Sequence, residues 1–281
     1  MNVLIVGNSE RAEEVATRVA TWLVDHGHRP FALASDASTL GVDSLRTVTS
    51  VGDAGDLGLV VGIGGDGTML RAVALLEGAR VPVLGVNVGL LGYLAEVEPT
   101  GVETALARFF AGDVHIESRL VLDVVAASGS ATRSWRALNE ASFEKQHAGQ
   151  TVRLRLHIDG APFTTYQADG ILVATPTGST AYSLSARGPV ISPEHDAILI
   201  TPLAPHMLFD RSLVLRSDES VEIEVVGQRP VGLTIDGQEA VVLQPGDRVT
   251  CSASPHPALF VRLESRRFHQ VLKTKFGLAD R

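Results

Sequence analysis

The stretch Gly64-Gly65-Asp66-Gly67-Thr68 follows an apolar run at 57–63 and opens a segment carrying Leu70, Val73 and Ala74. Glycines at 62, 64, 65 and 67 free the main chain to take positive φ and to approach a ligand more closely than a Cβ would permit. Amides at the start of a following helix favour anionic groups. A lone carboxylate inside such a turn suits metal binding or removal of a proton from a hydroxyl. The G-x-x-x-x-G-K-[ST] spacing of a Walker A loop is absent. Strand–glycine turn–helix units also serve plain packing, so the rest of the chain has to decide.

A second stretch carries polar chemistry, from Asp169-Gly170 through the strand 171–174 into Thr175-Pro176-Thr177-Gly178-Ser179-Thr180-Ala181-Tyr182-Ser183-Leu184-Ser185-Ala186. Ser179 or Thr180 can cap a short helix around 179–186. Four hydroxyls between Thr175 and Thr180 exceed what one cap needs, and the surplus suits a ribose or a phosphate. Tyr182 adds a ring able to stack on a base. Asn139-Glu140 follows the strand-like 134–138; a carboxylate accepting two hydrogen bonds beside an amide can hold vicinal sugar hydroxyls. Asp236-Gly237 and Asp159-Gly160 read as type I′ hairpin turns. His147, His195, Asp196 and His206 lack metal-ligand spacing, and Ser179 is not in a G-x-S-x-G elbow, so no metal site and no hydrolase triad are expected.

Composition narrows the partners. The chain has 281 residues and a net charge of −8 with no basic stripe, which argues against nucleic acid. Cys251 is the sole cysteine, so an intrachain disulfide is excluded; its strand-like surroundings suggest a buried apolar role. The first residues carry no basic region and too short an apolar run for a signal peptide, and no segment nears the roughly 18 apolar residues that span a bilayer. A cytoplasmic protein without membrane contact is expected.

Two kinds of scaffold must position these residues. In the first, the apolar runs 3–6, 31–33, 57–63 and 81–87 alternate with helical spacing at Ala12, Val15, Ala16, Val19, Ala20 and Leu23, ending at Gly27. Thr100-x-x-Glu103 forms a capping box ahead of the face Val102, Ala105, Leu106, Phe109 and Phe110. This alternation predicts an α/β N-terminal domain with an open parallel sheet over 1–115. Past His115 strand signals follow one another at 121–127, 152–158, 171–174, 221–226, 232–235, 241–243 and 259–263. Leu154, Leu156 and Ile158 alternate with Arg153, Arg155 and His157, as in a sheet with one wet face. A β-rich, β-sandwich-like C-terminal domain is expected over 116–264, with a surface loop at 128–133.

In order and separation, Gly64–Thr68, Leu138-Asn139-Glu140 and Thr175–Ala186 resemble the NAD kinase family, and Val86-Asn87-Val88-Gly89-Leu90-Leu91-Gly92-Tyr93 fits its G-x-N-x-G-x-L-G-[FY] segment. The glycine motif alone is shared with 6-phosphofructokinases and with diacylglycerol and sphingosine kinases; the Thr-Pro-Thr-Gly-Ser-Thr-Ala-Tyr run is the specific part. The resemblance implies transfer of a phosphoryl group from ATP (or polyphosphate), with Mg²⁺, to the 2′-hydroxyl of the adenosine ribose of NAD. It implies Asp66 as general base or as an outer Mg²⁺ contact, and Gly64, Gly65, Gly67 and Thr68 as the receiver of phosphates. Asn139, Glu140, Asp169, Thr177, Thr180, Ala181, Tyr182, Ser185 and Asp236 are implied at the NAD pocket. A homodimer or homotetramer is implied as well, with the segment 265–281 returning to the first domain. Arg187, where the family usually has Gly, and Phe209-Asp210-Arg211-Ser212 depart from the pattern. A lipid kinase sharing the glycine loop and a non-catalytic NAD(P) sensor are the competing readings.

Overall fold

The computed structural model describes residues 1–7, 10–89, 92–128, 131–264 and 268–278. It divides into two compact units, 1–118 with 258–281, and 119–257.

The first unit runs β1 (Asn2–Val6), α1 (Glu13–Asp25), β2 (Arg29–Leu33), α2 (Ala34–Leu40), β3 (Arg46–Val48), β4 (Leu57–Gly64), α3 (Asp66–Leu75), β5 (Pro82–Asn87), α4 (Val102–Phe110) and β6 (His115–Arg119). With β19 (Ala258–Arg262) its seven-stranded sheet has the order β3-β2-β1-β4-β5-β19-β6, and the pairs from β3 to β19 are parallel. Strands buried on both faces need unbroken apolar runs, which is why Val3-Leu4-Ile5-Val6 and Leu59-Val60-Val61 occupy its middle. Helix α1 buries Val15, Ala16, Val19, Ala20 and Leu23 and stops at Gly27, whose φ of 76° lets the chain turn back. One local expectation fails. No side chain caps α4, and Glu103 instead accepts a hydrogen bond from Arg18 at 2.9 Å. A capping box does form at Ser50 and Asp53. Helix α3 buries Met69 and Ala72, Met69 packing on Gly62 of β4 and Gly85 of β5, while Leu70 and Val73 are half-buried and Ala74 is exposed.

The second unit runs β7 (Leu122–Ser128), β8 (Ala131–Ala137), β9 (Glu140–Lys145), β10 (Val152–Ile158), β11 (Ala161–Ala168), β12 (Gly170–Ala174), α5 (Tyr182–Ser185), β13 (Ala197–Leu203), β14 (Leu213–Arg216), β15 (Val221–Val225), β16 (Val231–Ile235), β17 (Gln238–Leu243) and β18 (Arg248–Ala253). These form two antiparallel six-stranded sheets, β11-β10-β15-β18-β7-β8 and β14-β13-β12-β9-β16-β17. One core joins them, with Leu154, Leu156, Ile223 and Cys251 from the first and Phe143, Ile171, Val173 and Ile200 from the second. Cys251 is fully buried, and burial pushes its thiol up to about 12. Asp159-Gly160 and Asp236-Gly237 take positive φ at both positions, as type I′ turns require. The loop expected at 128–133 is shorter than that, since β7 and β8 pair to Ser128 and Ala131; 129 and 130 lie outside the described residues.

The chain then returns as β19 (Ala258–Arg262) and α6 (Phe268–Lys275). The strand expected at 259–263 among the β-rich half instead pairs in parallel with β5 of the first sheet. A short apolar run fits either kind of sheet, so periodicity alone does not assign it. Residues 265–267 and 279–281 of the returning segment, and Leu90 and Leu91 of the 86–93 motif, lie outside the described residues.

Candidate active site

In the first unit, β4 ends at Gly64, Gly65 is the residue before the helix and Asp66 is the first residue of α3. None of the glycines at 62, 64, 65 and 67 has positive φ, so the conformational reason expected from sequence does not apply. Space explains two of them. A Cβ on Gly62 would strike the Met69 side chain, and one on Gly64 would strike Thr68. Gly65 and Gly67 border open space, and the Asp66 and Gly67 amides come too early in α3 for a partner within the helix, whereas Thr68 N–H already donates to Gly65 O at 3.0 Å. That is a surface an anion can reach closely.

The Asp66 carboxylate is fixed by backbone. Tyr93 N–H donates to Oδ2 and Leu94 N–H to Oδ1, each at 2.9 Å. Gly92 is obligatory at this approach, because a Cβ there would collide with the carboxylate. Thus Gly92-Tyr93 of the 86–93 motif serves to aim Asp66. Each oxygen accepts one amide and keeps a second lone pair for another partner.

In the second unit the Leu138–Glu140 turn is held from two sides. Asp236 accepts the N–H groups of Leu138, Asn139 and Glu140 at 2.9, 2.8 and 3.1 Å, and its own N–H donates to Glu140 O at 3.0 Å. Thr175 N–H donates to Asn139 O at 2.8 Å, and the Thr175 hydroxyl donates to Leu138 O at 2.5 Å. Gly178 packs directly on the Asn139 backbone, where no Cβ would fit. Burial raises the Asp236 carboxyl against the lowering effect of its three amides.

Glu140 is 6% exposed, and its Oε2 has no hydrogen-bond partner. Burial, then the neighbouring Asp236 charge, lift its carboxyl to about 8, although the Tyr182 amide donates to it. Strand β9 explains its surroundings. Ala141 and Phe143 face the core, while Glu140, Ser142 and Glu144 share the other face. Ser142 donates to Glu144, and the Tyr182 hydroxyl donates to Glu144 at 2.9 Å. Burial and these carboxylates push Tyr182 up to about 12.

The expected helix at 179–186 is broken: a 3-10 turn (Thr177–Thr180) and the four-residue α5 meet at Ala181, whose ψ of −127° belongs to neither. Most hydroxyls of the run are spent within the protein. Thr175 is bonded as above, Ser179 bonds with Ile191 at both its N–H and its C=O, and Thr180 donates to Thr177 O at 3.2 Å. Thr177 Oγ1 is the buried hydroxyl of this run left without a partner. The surplus read from the sequence therefore reduces to one group.

Beside this turn lies a cavity of about 320 Å³. Asp169, Tyr182 and Ser185 line it, as do Glu144, Lys145 and Ala204, which the sequence reading missed. Lys145 Nζ pairs with Asp169 at 2.6 Å. Asn139, Glu140, Thr177, Thr180, Ala181 and Asp236 are not on its wall. The i, i+2, i+4 spacing of Glu140, Ser142 and Glu144 was the signal for Glu144: a polar face on a strand whose other face is core.

A family model described as the ATP-NAD kinase N-terminal domain matches residues 3–114, and one described as the ATP-NAD kinase C-terminal domain matches 138–263. An NAD kinase of Leifsonia xyli subsp. xyli is 38% identical over a 293-residue alignment covering 98% of this chain and 94% of that protein. An NAD kinase of Symbiobacterium thermophilum is 41% identical over 225 residues, 79% of this chain and 80% of that protein. Among solved structures, yeast NADH kinase complexed with NADH superposes with a TM-score of 0.91 at 25% identity, covering all of this chain and 89% of that one. An Archaeoglobus fulgidus NAD kinase in complex with ATP shares the fold, with a TM-score of 0.75 at 22% identity over 99% of this chain and 98% of that one. The chain belongs to the NAD kinase family, enzymes that phosphorylate NAD to NADP.

Proposed function

We propose that this chain transfers the γ-phosphoryl group of ATP to the 2′-hydroxyl of the adenosine ribose of NAD, with Asp66 as the residue that meets the reacting hydroxyl. The observation that carries the role is the aim of Asp66, held by two backbone amides at the mouth of a glycine loop. Phosphoryl transfer is mainly positioning and charge neutralisation, so an oriented carboxylate beside open amides is the needed equipment. Asp66 takes the hydroxyl proton as general base, and the amides around Gly65 and Gly67 with the Thr68 hydroxyl receive phosphate oxygens, with Gly64 giving the loop its close packing.

Mg²⁺ travels with ATP in this reading. Such an ion binds through one or two carboxylates plus phosphate oxygens, and the lone pairs that Asp66 keeps fit that demand. Bound, the ion neutralises phosphate charge.

On the second unit, Asn139 and the open Oε2 of Glu140 hold sugar hydroxyls, and Tyr182 stacks on a base. Asp169 and Ser185 line the cavity beside it, while Thr177, Thr180 and Ala181 shape the turn. Asp236 acts through the 138–140 backbone as a positioning residue. The NADH of the yeast relative supports a dinucleotide there. A homodimer or homotetramer in the cytoplasm completes the reading, on the strength of the family resemblance. Incubation of the purified chain with ATP, Mg²⁺ and NAD, followed by assay with an NADP-specific dehydrogenase, tests it. NADP no higher than in an enzyme-free control overturns it.

A further inference from the structure

The glycine loop has no cation of its own. No Lys or Arg lies between Gly62 and Leu70, and the first cation on α3, Arg71, is already engaged. Its Nη1 donates to Asp36 Oδ2 at 2.9 Å and its Nη2 to Oδ1 at 2.5 Å, and Asp36 is itself 1% exposed. Asp36 also accepts the Gly7 N–H, so this pair ties β1, α2 and α3 together. A triphosphate at Asp66–Thr68 would bring several negative charges against a carboxylate.

The C-terminal helix supplies what the loop lacks. Lys275, the last residue of α6, places Nζ 3.5 Å from the centroid of the Tyr93 ring. Tyr93 is the residue whose N–H aims Asp66. A ring face holds an ammonium without neutralising it and can engage as few as one of its three N–H donors, so the cation is positioned and still able to bind an anion. The Asp66 charge reaches both members of this pair: it works to raise Lys275 against the lowering effect of burial, and it adds to burial in raising Tyr93. Asp66, Tyr93 and Lys275 thus form one cluster within the first unit.

We propose that Lys275, delivered by α6 and held over Tyr93, is the cation of the phosphate site, its ammonium donating hydrogen bonds to the triphosphate of the donor bound at the start of α3. The inference rests on the reading that this loop receives ATP. Lys275 stays protonated throughout and no bond to it is made or broken.

Titration calorimetry of ATP with Mg²⁺ into the full chain, without NAD, separates this proposal from the acceptor chemistry. Lys275→Met is expected to weaken ATP at least tenfold, Lys275→Arg to restore affinity to within threefold, and adenosine to compete equally well against the parent chain and the Met variant. In turnover, the KM for ATP rises while that for NAD stays within twofold. Lys275→Gln provides a second neutral variant should the Met form fail to give the parent's circular dichroism. ATP affinity within twofold of the parent in either neutral variant overturns the proposal, as does a parent chain that binds no ATP. An equal loss for ATP and adenosine also overturns it, since that marks a merely structural lysine. ATP binding lost in the variants with no NADP formed by the parent leaves Lys275 in place and removes NAD as acceptor instead.

Discussion

Asp66 and Glu140 sit in opposite circumstances. Asp66 stands half-buried at a helix entry with both oxygens anchored by amides, between glycines that border open space. Glu140 lies under a strand and a turn, with one oxygen unpartnered and a carboxyl raised to about 8. The first is oriented by main-chain donors, which suits the proton-handling role proposed for it. The second is desolvated and incompletely bonded, which costs stability until something supplies the missing hydrogen bond. Asp236 is the control between them: half-buried, its carboxyl also raised by burial, yet with three amides on its oxygens. What separates Glu140 from Asp236 is therefore not desolvation but the unpartnered oxygen, and the proposed sugar contact rests on it.

The largest test of that contrast is Asp66→Asn. An amide cannot take a proton, and its NH₂ would face the N–H of Tyr93 or Leu94, so both chemistry and aim suffer. Turnover is expected to fall roughly 10²-fold or more, with the melting temperature little changed. Near-normal NADP production would reject Asp66 as the base. Asp236→Ala comes next and should act on stability instead. Three amides lose their acceptor at a position whose φ is 49°, which an Ala tolerates poorly. The expected cost is about 2–3 kcal/mol by urea denaturation. A loss of NAD affinity with stability intact would show that Asp236 touches the ligand directly.

How much of this was legible beforehand differs between the two carboxylates. Strands with unbroken apolar runs, the α1 face and the type I′ turns announce themselves by local composition, and they stand as read. The position of β19 does not, because Leu259-Phe260-Val261 is apolar enough for either sheet and only long-range pairing places it. Likewise the glycine motif marked Asp66, but its anchors come from residues 93 and 94, and sequence carries no record of which amide meets which oxygen. The hydroxyl run misled in a different way. Thr175, Ser179 and Thr180 are polar because a tight turn must satisfy itself, so their number overstated what a ligand could use.

Glu140→Gln sharpens the second half of the comparison. Unfolded, the carboxyl titrates near 4.5; folded, near 8. Between those values the native state holds a proton that the unfolded chain has released, so stability declines as pH rises through this window. Below about 4.5 both states are protonated and the penalty is absent. The Gln variant stays neutral throughout, and its advantage over the parent should grow by on the order of 1–3 kcal/mol from pH 5 to 9. Denaturant midpoints of both proteins across that range decide it. Parallel curves would mean that Glu140 finds a partner in solution.

The smallest effect expected lies just past the same turn. Arg187 follows α5 with φ of 63°, its N–H bonded to Leu184 O at 3.0 Å, the left-handed stop that glycine usually fills. An L side chain in that region costs about 1–2 kcal/mol, and a glycine returns part of the difference through the freedom of the unfolded chain. Arg187→Gly should therefore stabilise the protein by about 0.5–1 kcal/mol, read as a shift of the thermal midpoint. A lowered midpoint would show that the guanidinium makes a contact outweighing the backbone strain. The departure from the family pattern at 187 would then be compensated where it stands. If the midpoint rises, the strain is carried uncompensated beside Tyr182, and the turn bearing that ring is held by its hydrogen bonds alone.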